Sequence, residues 1–246
     1  MRSGFFKLAF AFCVALPLAG CLGGLEKAAA PLPEVARTEL AAQGLELGAP
    51  VYVRIFKLEA QMEVWLGRPD GTYQLFRTYD ICNYSGDLGP KIKEGDKQAP
   101  EGYYIVTSKM MNPNSKYYLS FNIGFPNKYD RANGRTGSAL MVHGGCLSKG
   151  CYAITDEVIQ ELYILAREAF NKGQRNFPLH AYPFKLTDEN LAIHKDSQWR
   201  SFWANLKVGF DMFEKTKTPP IAAVSGTKYV FHKNEAAAGG NQITGW

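Results

Sequence analysis

Met141-Val142-His143-Gly144-Gly145-Cys146-Leu147-Ser148-Lys149-Gly150-Cys151-Tyr152-Ala153-Ile154-Thr155 is the stretch on which the reading of this chain turns. Its apolar start predicts a short strand, Ala139–His143, that delivers His143 to its end. A glycine-rich turn follows, and Cys151 stands just before a helix. The thiolate is the nucleophile of cysteine chemistry, and a nearby imidazole accepts its proton or stabilises its charge. His143 and Cys151 therefore read as base and nucleophile, joined by a loop flexible enough to bring them together. Gly150 leaves room for a substrate close to the main chain. The N–H groups around Gly150 and Cys151, near a helix start, are placed to meet a developing oxyanion.

Outward from this segment the periodicity is clear. Asp156–Lys172 puts Val158, Ile159, Leu162, Leu165, Ala166 and Ala169 on one helical face, with Thr155 or Asp156 as cap and Gly173 as stop. Upstream, Val51–Ile55, Gln61–Leu66 and Thr72–Cys82 alternate with a period of two, the last two joined by the turn Arg68-Pro69-Asp70-Gly71. Tyr103–Ser108, Tyr117–Ile123 and Leu179–Phe184 are further strand-like runs. Beyond Leu186, Thr187–His194 and Ser197–Leu206 read as helices, and a short hairpin is expected after Pro219. The stripe Trp199, Phe202, Trp203 and Leu206 reads as packing surface. The expected fold is α+β and β-rich: a catalytic domain at 49–186 with one prominent helix, preceded by a tether at 21–48 and followed by a helical C-terminal extension at 187–246.

The first residues set the compartment. Arg2 and Lys7 precede an apolar run, Leu8–Leu18, that is too short to span a bilayer and reads as the core of a secretory signal. Leu18-Ala19-Gly20-Cys21 is similar to a bacterial lipobox, so residues 1–20 are expected to leave and Cys21 to carry lipid; an ordinary signal peptide containing a cysteine is the plainer alternative. The expected location is the cell envelope, facing the periplasm, with the N-terminal lipid as the membrane anchor. Leu22 lacks the aspartate that favours inner-membrane retention, which points to the outer membrane in a two-membrane organism. Loss of Arg2 and Lys7 takes the formal charge from +5 to +3. That suits an anionic wall and, without a basic stripe, argues against nucleic acid. Cys13 and Cys21 aside, the body holds Cys82, Cys146 and Cys151. An odd number in an oxidising compartment leaves one thiol free or paired between chains. A Cys82–Cys146 disulfide bracing the loop would leave Cys151 free; a Cys146–Cys151 switch is the competing arrangement.

The His-Gly…Ser-x-Gly-Cys arrangement resembles the active-site signature of the L,D-transpeptidase (YkuD) catalytic domain family. Gly89-Pro90-Lys91…Gly95-Asp96…Pro100-Glu101-Gly102-Tyr103-Tyr104 resembles the same family's glycine-rich approach to its central strands. Phe125-Pro126-Asn127…Asp130-Arg131 and Gly150-Cys151-Tyr152-Ala153-Ile154-Thr155 are similar to its YafK-like branch. The resemblance spans about residues 50–186 and implies a β-sandwich with a helix beside the catalytic loop. It implies Cys151 as nucleophile, His143 as proton donor and acceptor, and the Gly144 carbonyl as the group that orients His143. Ser148 and Gly150 match the Ser/Thr and Gly before the cysteine. The chain departs from many members in its short His143–Ser148 spacing, and in Lys149 and Ala153 at positions where others carry His and Arg or Asn.

The resemblance further implies peptidoglycan stem peptides as substrate, with a thioester on Cys151 passed to an amine acceptor. An amidase that trims stem peptides or detaches a wall-linked lipoprotein would use the same site. A non-catalytic wall-binding lipoprotein is the reading from another class. Ser148, Lys149 and Arg131 are candidate substrate contacts, since lysine and the forked arginine suit carboxylates. Asp130 and Arg131 would equally serve to hold the shape of their loop. No CxxC pair or HExxH is present and His180, His194 and His232 are scattered, so neither metal nor cofactor is expected. His180, inside a strand-like run, reads as a packed core residue.

Overall fold

The computed structural model describes residues 26–233. The signal segment 1–20 and the lipidation candidate Cys21 lie outside the described residues. A helix α1 (Glu34–Ala42) precedes three antiparallel-paired strands, β1 (Val51–Phe56), β2 (Gln61–Gly67) and β3 (Tyr73–Asp80). β4 (Asn83–Tyr84), β5 (Gly102–Thr107), β6 (Met111–Asn112) and β7 (Ser120–Asn122) follow, then a short helix α2 (Lys128–Ala132). β8 (Met141–His143) and β9 (Tyr152–Ala153) flank the glycine-rich loop, and α3 (Asp156–Asn171) leads to β10 (Asn176–Tyr182). α4 (Asp188–Ile193), α5 (Arg200–Thr216) and the hairpin β11 (Ile221–Ser225) and β12 (Lys228–His232) complete the described chain.

Two five-stranded sheets result, ordered β3-β2-β1-β10-β5 and β4-β9-β8-β7-β6. Each contains one parallel pair, β1 with β10 and β8 with β9. The prominent helix begins where its cap predicts: the Thr155 hydroxyl accepts the Val158 N–H at 3.3 Å. α3 buries Ile159, Leu162, Leu165 and Ala169 in a core shared with Val51, Val53 and Ile55 of one sheet and Phe121, Val142 and Tyr152 of the other. The fold is thus α+β and sheet-rich.

β1 is buried along its whole length, although its alternation suggests one wet face. Val51, Val53 and Ile55 face the main core, whereas Tyr52, Arg54 and Phe56 are covered by α5. Tyr103 of β5, Tyr182 of β10 and Phe202, Trp203, Leu206 and Phe210 of α5 belong to that second core. Arg54 is held among these aromatics by Glu63 (Nε to Oε2, 2.9 Å) and by Glu214 of α5 (2.5 Å). His180 sits in the same layer, its Nδ1 2.7 Å from the Tyr52 hydroxyl, and burial holds its pKa well below the usual imidazole range. It is a packed core residue.

Residues 187–233 form a third layer on the first sheet, because α5 and the hairpin complete that sheet's outer core. The expected tether at 21–48 is folded over much of its length. Leu32, Ala36, Leu40 and Leu45 are buried against the main core, and Arg77 of β3 bonds both Glu39 of α1 and Glu161 of α3. The Ala, Leu and Pro content of the segment resembles a linker, but four apolar residues find a groove to fill.

A buried ion pair organises the loop that approaches the catalytic segment. Lys57, just after β1, and Glu101, just before β5, are both 0% exposed and 3.1 Å apart. The Lys57 ammonium also donates to the carbonyls of Asp87 (2.7 Å), Gly89 (2.9 Å) and Ala99 (3.1 Å). Glu101 accepts the Gly89 N–H at 2.7 Å and the Trp203 indole N–H, from α5, at 2.8 Å. Every polar atom of the pair is therefore used. Farther along the same loop, Lys91 lies 2.5 Å from Asp96, whose other oxygen accepts the N–H groups of Ile92 and Lys93. Although burial opposes its charge, Lys91 and these N–H groups hold the Asp96 carboxyl down at about 2.

Removing one partner of a buried pair strands the other, so Glu101→Gln should lower unfolding stability by about 3–5 kcal/mol in urea titration; a loss within the error of the titration would contradict the role given to the pair. Asp96 contributes stability above the ordinary carboxylate pKa that is lost as pH falls through about 2. Asp96→Asn should therefore be less stable than the parent at pH 7, by on the order of 2 kcal/mol, with the difference vanishing near pH 2.

Candidate active site

The parallel register of β8 and β9 builds the site. Val142 pairs with Tyr152 and His143 with Ala153, so Cys151 falls opposite Met141. Val142 and Tyr152 point into the core, which turns Met141, His143 and Ala153 to the other face. Cys151 stands just before β9 with its sulfur turned toward the Met141 N–H, two residues before His143 on the neighbouring strand. The loop between the strands thus returns the chain to His143 eight residues later.

His143 is buried and its ring is oriented from two sides. Its Nδ1 lies 2.6 Å from the Gly144 carbonyl. A carbonyl only accepts, so Nδ1 carries the hydrogen and Nε2 keeps the lone pair of a base. The ring of Tyr117 stacks on the imidazole at 4.7 Å with 28° between planes. Gly144 has no room for a side chain: a Cβ would stand 2.4 Å from Asp156 Oδ1 and 3.0 Å from the Tyr117 carbonyl. That same Asp156 oxygen accepts the Gly145 N–H at 2.9 Å, tying the catalytic turn to the first turn of α3. Tyr117 and Asp156 went unnoticed in the sequence. Only the position of Asp156 at the helix start hinted at a cap, and nothing local marked Tyr117.

Cys151 is half-buried and is the one free thiol among the described residues. Cys82 and Cys146 are joined by a disulfide that closes 5.4 Å between Cα atoms and fixes the turn to the end of β3. The Cys151 sulfur accepts the Met141 N–H at 3.4 Å and lies 3.8 Å from the Ala139 carbonyl. Burial pushes the thiol up, while the Met141 N–H and the Lys91 charge pull it back. Lys91 is thus the cation nearest in effect to the nucleophile, and it comes from the loop pinned by Lys57 and Glu101.

The remaining candidates divide. The Ser148 hydroxyl accepts the Cys151 N–H at 3.0 Å and donates to the Cys151 carbonyl at 2.6 Å, so it shapes the turn. The Gly150 N–H is taken by the Ser85 hydroxyl. Both N–H groups read as oxyanion donors therefore hold hydroxyl partners here, and an oxyanion would have to displace them. Lys149 is exposed at the loop. Arg131 lies exposed on α2 and bonds the Pro126 carbonyl. Its neighbour Asp130 is buried, bonded to Arg135 at 2.9 Å and paired reciprocally with Asn127 in a capping box. Asp130 thus holds the shape of its loop, one of the two roles open for it. Among the described residues, no cluster of three or more His, Cys, Asp or Glu could hold a metal ion.

The chain matches a family model described as the L,D-transpeptidase catalytic domain, YkuD, over residues 51–198. It is 45% identical over 187 residues to a protein of Escherichia coli (strain K12) named "Putative L,D-transpeptidase YafK", covering 76% of each chain, and equally so to the protein of that name from Escherichia coli O157:H7. Among solved structures it is similar to the K307A mutant of the helical cell shape determining protein Pgp2 from Campylobacter jejuni, with a TM-score of 0.45 at 19% identity. That likeness covers 74% of this chain and 66%, just under two thirds, of the other. The family match and the 45% identity agree with the strand-loop-helix setting of His143 and Cys151, and the chain belongs to the YkuD family of L,D-transpeptidase catalytic domains.

Proposed function

We propose that this protein remodels peptidoglycan by acyl transfer through a thioester on Cys151. The observation that carries the reading is a free thiol held against β8, the strand that ends in an imidazole whose tautomer is set by the Gly144 carbonyl. Cys151 attacks the amide carbonyl that follows the L-centre of a diaminopimelate residue in a stem peptide. His143 Nε2 takes the thiol proton, and collapse of the tetrahedral adduct breaks the C–N bond as His143 protonates the leaving amine. An amine acceptor then attacks the thioester, giving a new amide and returning the thiol. A second stem peptide as acceptor gives a cross-link; the amine of a lipoprotein as acceptor joins that lipoprotein to the wall.

One observation favours water as a competing acceptor. Gly145, Leu147 and Lys149 all stand exposed, Leu147 at 67%, so the turn over the thiol is open to solvent. With water the same thioester yields a carboxylate, and the enzyme becomes an amidase that trims stem peptides or releases wall-linked lipoprotein. We further propose an envelope location facing the periplasm, with lipid on Cys21 as the membrane anchor. The Cys82–Cys146 disulfide supports that compartment, since such bonds persist where conditions are oxidising.

The deciding experiment is mass spectrometry of wall fragments after isolated sacculi, with lipoprotein still attached, meet the soluble enzyme or Cys151→Ala. New cross-links or exchanged terminal residues that require Cys151 are the expected result. Cleaved peptides or freed lipoprotein without new bonds would assign the amidase, and binding without any Cys151-dependent change would leave a wall-binding protein. His143→Ala should lower the rate by about 10²–10⁴-fold. Because burial raises the free-enzyme thiol, alkylation of Cys151 by iodoacetamide should be slow at neutral pH and still rising above the ordinary thiol range. A plateau already reached below neutrality would mean a thiolate–imidazolium pair preformed in the free enzyme, against the thiol described here.

A further inference from the structure

The loop that presents Lys91 to the thiol has a second side. There it lines a cleft of about 270 Å³ closed by the residues leading into α5, Gln198 and Trp199. Leu88, Pro90 and Trp199 supply apolar wall; Asp87, Lys93 and Gln198 supply polar groups. Trp199 belongs to the helical stripe that reads as packing surface, yet it stays half-exposed while Phe202, Trp203 and Leu206 are buried. Its indole N–H donates to no protein group among the described residues' hydrogen bonds.

Both walls are held by the same buried pair. Gly89 gives its carbonyl to Lys57 and to the Gln98 amide (2.7 Å) and its N–H to Glu101, and Glu101 also holds Trp203, one helical turn from Trp199. Gly89 sits at φ +132°, and a Cβ there would come within 2.4 Å of Trp199 Nε1. The indole therefore rests on a backbone with no side chain, held by three hydrogen bonds. A cleft with fixed walls, mixed polarity and an aromatic side chain is a ligand site in form.

Its chemistry selects the ligand. Asp96 is already paired with Lys91, which leaves Asp87 and the ammonium of Lys93 as the opposed charges on the rim, a lining close to neutral that gives no strong hold on a highly charged ligand. A neutral pyranose fits: its C–H faces suit Trp199, Leu88 and Pro90, and its hydroxyl and acetamido groups suit the carboxylate of Asp87, the amide of Gln198 and the indole N–H. The cleft also joins the catalytic turn, because a Cβ on Gly150 would touch the Gln98 carbonyl at 3.7 Å and Gln98 lines the cleft. We propose that this cleft is a glycan subsite that binds an N-acetylated amino sugar of the wall strand carrying the stem peptide. It rests on the peptidoglycan reading of the Cys151 site. It accounts for α5 being built onto the sheet beside that site, and makes the true substrate a glycopeptide.

The test has two arms. In the first, a neutral oligosaccharide of N-acetylglucosamine is titrated against full-length Cys151→Ala, watching the indole N–H resonances by NMR. A saturable shift of the Trp199 signal, identified by its loss in Trp199→Phe, is expected, with affinity weakened about tenfold or more by Gln198→Ala or Asp87→Asn. In the second, acylation of Cys151 is compared for a stem tetrapeptide and the same peptide on its disaccharide. The disaccharide should lower KM about tenfold at similar kcat, and the rim variants should bring that ratio toward one. Rim residues are exposed, so unchanged thermal unfolding of these variants excludes misfolding as the cause. No glycan-dependent shift, or a KM ratio of one in the parent enzyme, would overturn the subsite. Glycan binding without acylation by either peptide would instead retain the subsite and remove the thioester reading.

Discussion

The rest of the active-site side of this molecule depends on a lysine that has no contact with water. Lys57 and Glu101 are ionised groups with 0% exposure, and burying them alone would cost several kcal/mol each. The cost is offset only because three carbonyls, one main-chain N–H and one indole N–H complete the pair. Those partners come from the 87–101 loop and from α5. The pair thus converts a glycine-rich, proline-rich loop into a fixed wall, and does so only if α5 is in place. Burial brings the Lys57 pKa below the ordinary lysine range, and the Glu101 carboxylate opposes that shift.

From that wall the structure reaches the chemistry in one step. Lys91 is held by Asp96 on the pinned loop, and its charge bears on the Cys151 thiol. On the opposite flank, Asp156 and the disulfide hold the catalytic turn to α3 and to the end of β3. The Cys151 thiol, the nucleophile of the proposed reaction, therefore sits between a loop fixed by a buried ion pair and a turn fixed by a covalent bond. Such preorganisation matters because misplacement by about 1 Å costs orders of magnitude in an acyl transfer.

The same logic explains why residues 187–233 belong to the folded body. Tyr52, Arg54, Phe56, Tyr103 and Tyr182 form an outer face of the first sheet that water would meet if α5 were absent. Phe202, Trp203, Leu206 and Phe210 cover it, and the Tyr103 hydroxyl donates to the Leu206 carbonyl at 2.6 Å. At the other end, α1 covers the edge of the main core through Ala36 and Leu40. Neither terminal segment is an independent unit; each closes a surface that the central strands leave open.

What the sequence alone determined is what short-range chemistry can carry. The His-Gly…Ser-x-Gly-Cys run, the Thr155 cap, the period-two strands and the odd cysteine count are all local or countable features. They sufficed for the fold class, for Cys151 and His143 as candidates, and for Cys82 with Cys146 as one of two possible pairings. The short strands β4, β6 and β9 were not legible, because two residues acquire strand geometry only from a neighbour. Nor was the fate of Leu32 and Leu40, or which face the apolar stripe of α5 would cover, since apolar content does not say which groove it will fill. Tertiary structure alone decided that Tyr117 lies on His143, that Ser148 and Ser85 hold the N–H groups of the catalytic turn, and that Lys57 meets Glu101 44 residues away. The physical reason is the same in each case: a buried polar group is defined by its partners, and these partners are brought together by packing, not by spacing along the chain.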